Sequence, residues 1–469
     1  MKELNDSYQS LFKTISKAAM SINQTVFVIG GLVRDYYLNK NLEDCYDIDL
    51  VTEGSGIKLA KAVAKALGTD NLAVYQRFGT ARVSYNGFVM EFVGARKESY
   101  RPDSRKPSVE TGTLEDDQFR RDFTINALSW SLNEADYGTL NDPFNGIRDL
   151  KNLLIRTPID PSKTFSDDPL RMLRAIRFAT RLQFSIEHHT LEGIKASADR
   201  LSIISKERII DELNKIISTD TPSEGFYLLD DTGLLKQFFP ELCNLKGVEE
   251  KYGLKHKDNF FHTLKVLDNV AESSDNLWLR WAAILHDIAK PQTKRFHPEQ
   301  GWTFHGHDAL GASMVPKLFR RLGLPMDERM RYVKKLVRLH LRPIALVDEQ
   351  VTDSAVRRLI FEAGDDIDDL MLLCRADITS KNDRKIRRYL SNFDHVEQRI
   401  KEVEEKDRVR NWEPPIGGLE IMEACNLTPG PVVGTIKKAI EEAILDGKIP
   451  NSREAALEYL NDIKKDFIK

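Results

Sequence analysis

Long apolar runs are missing from this chain. No uninterrupted apolar stretch of about 18 residues occurs, so no membrane-spanning helix is expected. With 41% hydrophobic and 30% charged residues, the composition is that of a soluble protein. The opening MKELNDSYQSLFKTISKAAM mixes charge with apolar residues and lacks the central apolar block of a secretory leader, so a cytoplasmic location is expected. Cysteine is scarce. The four present, Cys45, Cys243, Cys374 and Cys425, form no CxxC pair, which excludes a zinc knuckle or dithiol motif and leaves reduced structural thiols. A surplus of one charge is also lacking. A net charge of −3 gives no overall basic footprint of the kind a polyanion partner leaves. No repeat of fixed period is apparent.

Basic residues are instead gathered locally. One group is Arg96, Lys97, Arg101, Arg105, Lys106, Arg120 and Arg121; another is Arg171, Arg174, Arg177 and Arg181. Acidic runs such as Asp365, Asp366, Asp368 and Asp369 offset them. The 469 residues divide by pattern into segments 1–150, 151–245, 246–390 and 391–469. The first alternates strand and helix signals: VFVIG (26–30) and YDIDLV (46–51) read as strands, IKLAKAVAKAL (57–67) as an amphipathic helix, and ARVSYNG with FVMEFVG as a hairpin turning at Asn86-Gly87. From about residue 160 the pattern is helical almost throughout, punctuated by prolines, and NWEPPIGG (411–418) reads as a linker. The fold class expected is an α+β head followed by all-α segments.

Three constellations carry chemistry. Gly30 and Gly31 follow a strand and open a helix, so backbone can approach a phosphate closely. Asp47 and Asp49 emerge on one face of the next strand, where two carboxylates repel unless a cation lies between them. Magnesium meets that need, and Glu91 is the candidate third carboxylate. In SDDPLRMLRAIRFATRL, Arg171, Arg174, Arg177 and Arg181 fall on one helix face, with Leu170, Leu173, Ile176 and Ala179 on the core side. Ser166 or Asp167 is expected to cap this helix, and Asp168 to lie one turn before Arg171. A carboxylate only accepts and a guanidinium only donates, so the pair Asp168 and Arg171 can match adenine and cytosine while leaving guanine and uracil unpaired. By spacing alone a surface ion pair is the better reading of the two. Finally, seven of the ten histidines lie between His256 and His340. Histidine is a common metal ligand, so that clustering points to a metal site.

GGLVRDYYL, DIDL, RRDFTINAL (120–128) and DDPLRMLRAIRFATRL (167–182) resemble the class II tRNA nucleotidyltransferase and poly(A) polymerase family over roughly residues 20–245. The one departure is Asp167, where the family usually has glutamate. The resemblance implies a polymerase-β-like head, an elongated multidomain chain, and template-free addition of CCA to tRNA from CTP and ATP. It implies that Gly31 and Arg34 hold the triphosphate, Asp47 and Asp49 bind magnesium, Arg121 and Asp122 contact triphosphate or ribose, and Asp168 with Arg171 reads the base. Arg174 and Arg177 are expected at nucleotide phosphates, and Arg200 and Arg208 as structural. Residues 95–119 correspond to a flexible loop that switches between C and A addition. Its presence disfavours an A-only enzyme, although a CC-only or A-only enzyme and a poly(A) polymerase remain alternatives.

Residues 255–380 resemble the HD phosphohydrolase domain. That resemblance implies a divalent transition metal or magnesium on His262, His286, Asp287 and Asp377, with His305, His307 and His340 serving a second metal or a phosphate. Its expected substrates are RNA ends bearing 2′,3′-cyclic, 2′- or 3′-phosphate. The tail resembles C-terminal helices that contact the tRNA elbow, with Lys437 and Lys438 as candidate phosphate contacts. A silent RNA-binding module, or an enzyme whose main activity is the HD hydrolysis, are the rival readings.

Overall fold

The computed structural model describes residues 1, 4–42, 47–101, 104–348, 352–379, 383–407 and 413–467. Cys45 and Tyr46 lie outside the described residues, as do the side chains of Arg101, Arg105 and Lys106. The chain forms two compact units, Met1–Pro240 and Glu241–Lys469. No helix among the described residues is long and apolar enough to cross a membrane.

The first unit is built on strands β1 (Phe27–Ile29), β2 (Asp47–Thr52), β3 (Leu72–Tyr75), β4 (Thr80–Tyr85), β5 (Phe88–Gly94), β6 (Arg96–Arg101), β7 (Ser104–Thr111), β8 (Ser129–Ser131) and β9 (Leu140–Asn141). Seven of them make one sheet in the order β3-β4-β5-β2-β1-β8-β9. Within that sheet, among the described residues, only β2 and β5 pair in parallel; the connection between β2 and β5 carries the Gly56–Leu67 helix and the β3-β4 hairpin. Asn86 and Gly87 both take positive φ, 47° and 85°, as a two-residue turn of the favoured hand requires. The basic stretch expected as a loop is a paired hairpin, β6 against β7, with a bulge between Ser99 and Arg101.

Helices Pro161–Asp167 and Leu170–Leu182 follow, and the break between them corrects the expected cap at Ser166 or Asp167. Pro169 forces its predecessor out of the helical region, and Asp168 is extended with φ −143° and ψ 101°. Ser166 and Asp167 therefore end one helix rather than cap the next. Asp168 Oδ1 takes the capping role, accepting from Leu170 N at 3.1 Å.

The arginine face of Leu170–Leu182 is not a solvated stripe. Arg171 and Arg177 are buried, and the helix packs against Lys206–Ile217 and the head. Asp122 of the head receives Arg174 Nε at 2.8 Å and Nη2 at 2.6 Å on one oxygen. Its other oxygen accepts from Phe123 N at 2.9 Å and Asn126 Nδ2 at 3.0 Å. Glu212 receives Arg177 Nε at 2.6 Å. Phe178 packs between the layers, its ring centroid 5.8 Å from that of Phe123 and 5.3 Å from the Arg34 guanidinium carbon.

In the second unit, helices Asn259–Ala271, Leu277–Leu285, His307–Leu322, Glu328–Leu339 and Ile367–Asp377 pack around Leu264, Leu267, Trp281, Phe319, Leu336 and Leu370. Two short hairpins, Glu250–Lys255 and Arg295–Thr303, interrupt a region expected to be helical. After the long helix Asp383–Asp407, three helices, Gly418–Cys425, Pro431–Leu445 and Arg453–Phe467, enclose their own core of Ile421, Ile436, Ile440 and Leu460.

Burial alone would raise the Asp122 carboxyl, but the charge of Arg174 and the hydrogen bonds from Asn126 and Arg174 outweigh it and hold it at about 2. Because the folded value lies below the ordinary 3.8, the carboxylate stabilises the fold above pH 4 and loses that contribution as pH falls toward about 2. Asp122→Asn leaves Arg174 partly unpaired in the interior. We expect it to cost about 3 kcal/mol at neutral pH in urea unfolding followed by tryptophan fluorescence. The variant should also be less sensitive than the parent to acidification between pH 4 and 2, and equal stabilities at pH 7 would contradict this account.

Candidate functional site

β1 delivers the chain to Gly30, which turns with φ +84° into the Gly31–Tyr37 helix. A Cβ there would lie 3.2 Å from both Asp49 Oδ2 and Arg121 Nη1. Glycine thus supplies both the backbone angle and the space beside a carboxylate. Asp49 is opposite Glu91 in the parallel β2-β5 register, and Asp47 shares the same face two residues earlier. All three side chains reach solvent, and Arg82 stands opposite Glu91 on β4.

Crowding by protein raises the Asp49 carboxyl above its usual value; Arg121 opposes the rise and Asp47 adds to it. Glu91 is raised for the same reason, with the Asp49 charge contributing and Arg82 opposing. Acids whose charge is disfavoured in this way gain from a divalent cation, and their hard oxygens suit magnesium. Arg121 is aimed by Asp117, a fully buried acid that also receives Arg120 Nε at 2.9 Å; the Arg121 contact is 3.3 Å. Sequence reading passed over Asp117, although its spacing of three and four residues to two arginines was a usable signal.

Other expected ligands are committed inside the protein. Arg34 is buried, with Nε and Nη2 on the Asp35 carboxylate at 2.8 and 2.9 Å and Nη1 on Asn126 Oδ1 at 2.8 Å. Asp122, expected at a sugar hydroxyl, already accepts four hydrogen bonds from Phe123, Asn126 and Arg174. Arg174 and Arg177, expected at phosphates, are paired with Asp122 and Glu212. A guanidinium withdrawn from water needs a partner, and Asp35 beside Arg34, Asp122 and Glu212 provide it.

Asp168 and Arg171 do not pair with each other. Asp168 Oδ2 accepts from Arg208 Nη2 at 2.9 Å. Arg171 Nη2 donates to the Arg120 carbonyl at 2.6 Å, and its Nη1 reaches the Thr164 carbonyl at 3.5 Å. Arg200 Nη2 donates to the Ser166 carbonyl at 3.1 Å. Arg208 and Arg200 both brace the segment around Asp168.

The second unit holds a histidine–aspartate centre built on helix ends. His262 Nε2 lies 2.8 Å from Asp377 Oδ1 and 3.6 Å from Asp287 Oδ2. His286 Nε2 lies 3.2 Å from Asp287 Oδ2 and 3.7 Å from Asp377 Oδ1. On the other side of Asp287, Oδ1 faces His307 Nε2 at 3.3 Å and His340 Nε2 at 4.0 Å. The ligand atoms of His262, His286 and Asp287, and separately those of Asp287, His307 and His340, gather within 4.8 Å. Among the described residues, such close groups of three occur only here.

Tautomers favour ligation. Nδ1 of His286, His307 and His340 face the carbonyls of Ala283, Phe304 and Val337 at 2.6, 2.7 and 2.8 Å. In the neutral ring, donation there leaves each Nε2 with its lone pair turned to the centre. His286 Nε2 is buried without a hydrogen-bond partner. Burial disfavours its imidazolium form, yet Asp287 and Asp377 outweigh that and push it up to about 10. The centre therefore calls for positive charge, and its nitrogen and carboxylate donors fit a divalent cation. His305 is exposed and lies outside this centre. Gly306 adopts φ +78° and starts the helix at His307, so only the latter turns inward.

Residues 26–156 match the poly A polymerase head domain, 183–246 the RNA- and SrmB-binding region of polymerase A, 259–381 the HD domain, and 349–460 the tRNA nucleotidyltransferase domain 2. An A-adding tRNA nucleotidyltransferase of Deinococcus radiodurans is 30% identical over 91% of this chain and 93% of its own. A CC-adding tRNA nucleotidyltransferase of Thermus thermophilus is 30% identical over 92% of each. A multifunctional CCA protein of Shewanella frigidimarina is 32% identical over 65% of this chain and 71% of its own. Among solved structures, a CCA-adding enzyme with ATP superposes with a TM-score of 0.64 at 22% identity, covering 98% of this chain and 97% of that one. A Thermotoga maritima CCA-adding enzyme complexed with tRNA does so at 0.60 and 22%, covering 98% and 96%. Those two likenesses speak for the fold. The ordered matches along the chain, with relatives aligned over most of its length, make it a member of the tRNA nucleotidyltransferase and poly(A) polymerase family with an HD domain.

Proposed function

We propose that this protein adds C and A residues to tRNA 3′ ends from CTP and ATP without a template, and that its HD centre hydrolyses phosphoesters at RNA ends. The observation that carries the first part is the face of Asp47, Asp49 and Glu91 under the Gly30 turn, with Arg121 beside it. Asp47 and Asp49 would hold magnesium, with Glu91 as the third carboxylate; the ions supply activation of the 3′-hydroxyl and neutralise the leaving pyrophosphate. The chain's own part is to leave backbone accessible at Gly30 and Gly31 and to present Arg121, steadied by Asp117, to the triphosphate.

Base selection falls to Asp168 and Arg171. An incoming adenine or cytosine exchanges for Arg208 at the Asp168 carboxylate and for the Arg120 carbonyl at Arg171. Guanine and uracil offer a carbonyl oxygen to that carboxylate and leave both groups unpaired. Relatives of equal coverage are named for A addition and for CC addition, so product length is the discriminating measurement.

In the HD centre, His262, His286, Asp287 and Asp377 would hold one cation, and Asp287, His307 and His340 a second, with Asp287 shared. Such ions supply an activated water for phosphoester hydrolysis. Lys290, paired to Asp287, adds positive charge at the rim.

On a tRNA lacking its CCA, CTP alone should add two residues and CTP with ATP should complete the end. An A tract with ATP alone would point to poly(A) synthesis, and a single A on a CC-ended tRNA without CTP use to A-only addition. Asp47→Ala should lower incorporation by at least about a thousandfold while tRNA binding persists; retained incorporation would remove the head assignment.

Asp168→Ala should narrow the preference for ATP and CTP over GTP and UTP by about a hundredfold or more in single-nucleotide incorporation. An unchanged preference would show that the base is read elsewhere.

For the HD centre, His286→Ala should lose bound metal and slow the ring-opening hydrolysis of a 2′,3′-cyclic-phosphate RNA end to a terminal phosphomonoester, by about a hundredfold. His305→Ala should keep both. Metal loss on replacing His305, or none on replacing His286, would contradict the ligand assignment.

A further inference from the structure

The two hairpins of the second unit carry an unusual surface. Across Arg295–Thr303, Phe296 stands opposite Trp302, with ring centroids 5.2 Å apart. Tyr252, at the turn of Glu250–Lys255, places its ring 5.8 Å from that of Phe296. His256 then lies 5.5 Å from Trp302 and 5.8 Å from Phe304. A continuous row of rings thus runs from Tyr252 to Phe304.

Ammonium groups lie along the same row. Lys251 Nζ is 4.9 Å from the Phe296 centroid and 5.8 Å from that of Tyr252. Lys294 Nζ is 5.3 Å from Trp302, and Lys290 Nζ is 5.6 Å from Phe304. The row ends at the metal centre: Lys290 is paired to Asp287, and the Phe304 carbonyl faces His307 Nδ1 at 2.7 Å.

Packing accounts for part of this cluster, since two-stranded hairpins need side-chain contacts to persist. It does not account for Tyr252, which is 83% exposed. A hairpin needing only a small core would turn that ring inward or replace it with a polar residue. An exposed ring beside half-buried ones, interleaved with ammonium groups, matches an unpaired nucleotide chain. Bases stack on the rings whatever their identity, and phosphates meet Lys251, with Lys294 and Lys290 paired to Glu249 and Asp287. A duplex, whose bases are already stacked, could use only the lysines.

We propose that Tyr252, Phe296, Trp302 and Lys251 form a platform that stacks the single-stranded 3′ tail of an RNA and leads its terminal phosphate past Lys290 into the HD centre. The purpose of the platform rests on the hydrolase reading of that centre; its binding does not. Positive charge on the approach fits the terminal phosphate, and stacking tolerates any tail sequence.

The test uses the full-length protein and a short single-stranded oligoribonucleotide ending in a 2′,3′-cyclic phosphate, with bis(p-nitrophenyl) phosphate as the small ester. Tyr252→Ala should raise KM for the oligonucleotide about tenfold with kcat retained, and hydrolysis of the small ester should stay within twofold. Tyr252→Phe, which keeps the ring, should restore the KM. An unchanged KM in Tyr252→Ala, or equal losses on both substrates, would overturn the proposal. A second arm is independent of turnover: 4-thiouridine near the 3′ end of the oligonucleotide should crosslink to peptides containing Tyr252 or Trp302. Crosslinking without any hydrolysis supports the platform while removing the hydrolase reading. Crosslinks confined to other regions refute the platform even if hydrolysis is intact.

Discussion

The ion pair between Asp122 and Arg174, continued through Glu212 to Arg177, is the interaction on which the first unit depends. It joins the segment just before a short helical turn of the sheet domain to a helix some fifty residues later, where the buried Asp122 carboxylate needs a partner and the half-buried Arg174 supplies it. Around it are arranged Phe178, stacked against Phe123, and Arg34, held by Asp35 and Asn126. Asn126 also donates to Asp122, so one amide connects the glycine turn with the neck. The geometry of the nucleotide cleft follows from this fixed junction. Arg121 points at Asp49 because its own strand of chain is pinned by Asp117 on one side and Asp122 on the other.

The acids of the head were legible because strand alternation is a strict geometric rule, and DID obeys it whatever the rest of the chain does. The histidine–aspartate cluster was legible because seven of the ten histidines fall between His256 and His340. What sequence could not give was the partner of each arginine. Glu212 lies 35 residues beyond Arg177, and nothing local marks the pair. The spacing that suggested a basic face was read correctly as a face, but as one turned inward.

Two other misreadings were local. Pro169 was a sufficient signal that the helix starts at Leu170 and is not capped by Ser166 or Asp167. His305 and His307 are two residues apart, a spacing that cannot say which one enters a core; the left-handed Gly306 decides it. The hairpins of the second unit were missed because strands of two or three residues leave no measurable alternation.

The Arg120 peptide has a consequence for how the cleft operates. Its carbonyl holds Arg171, and its C-terminal neighbour is Arg121, whose charge acts on Asp49. On the proposed reading, one peptide group would belong both to the base-reading side and to the phosphate side of the cleft. On the proposed reading, a base that draws Arg171 away frees that carbonyl and with it the segment bearing Arg121. A base that fails to draw it leaves the segment as it stands. Recognition and readiness for transfer would then be two aspects of a single mechanical linkage one residue long, with no separate relay between them.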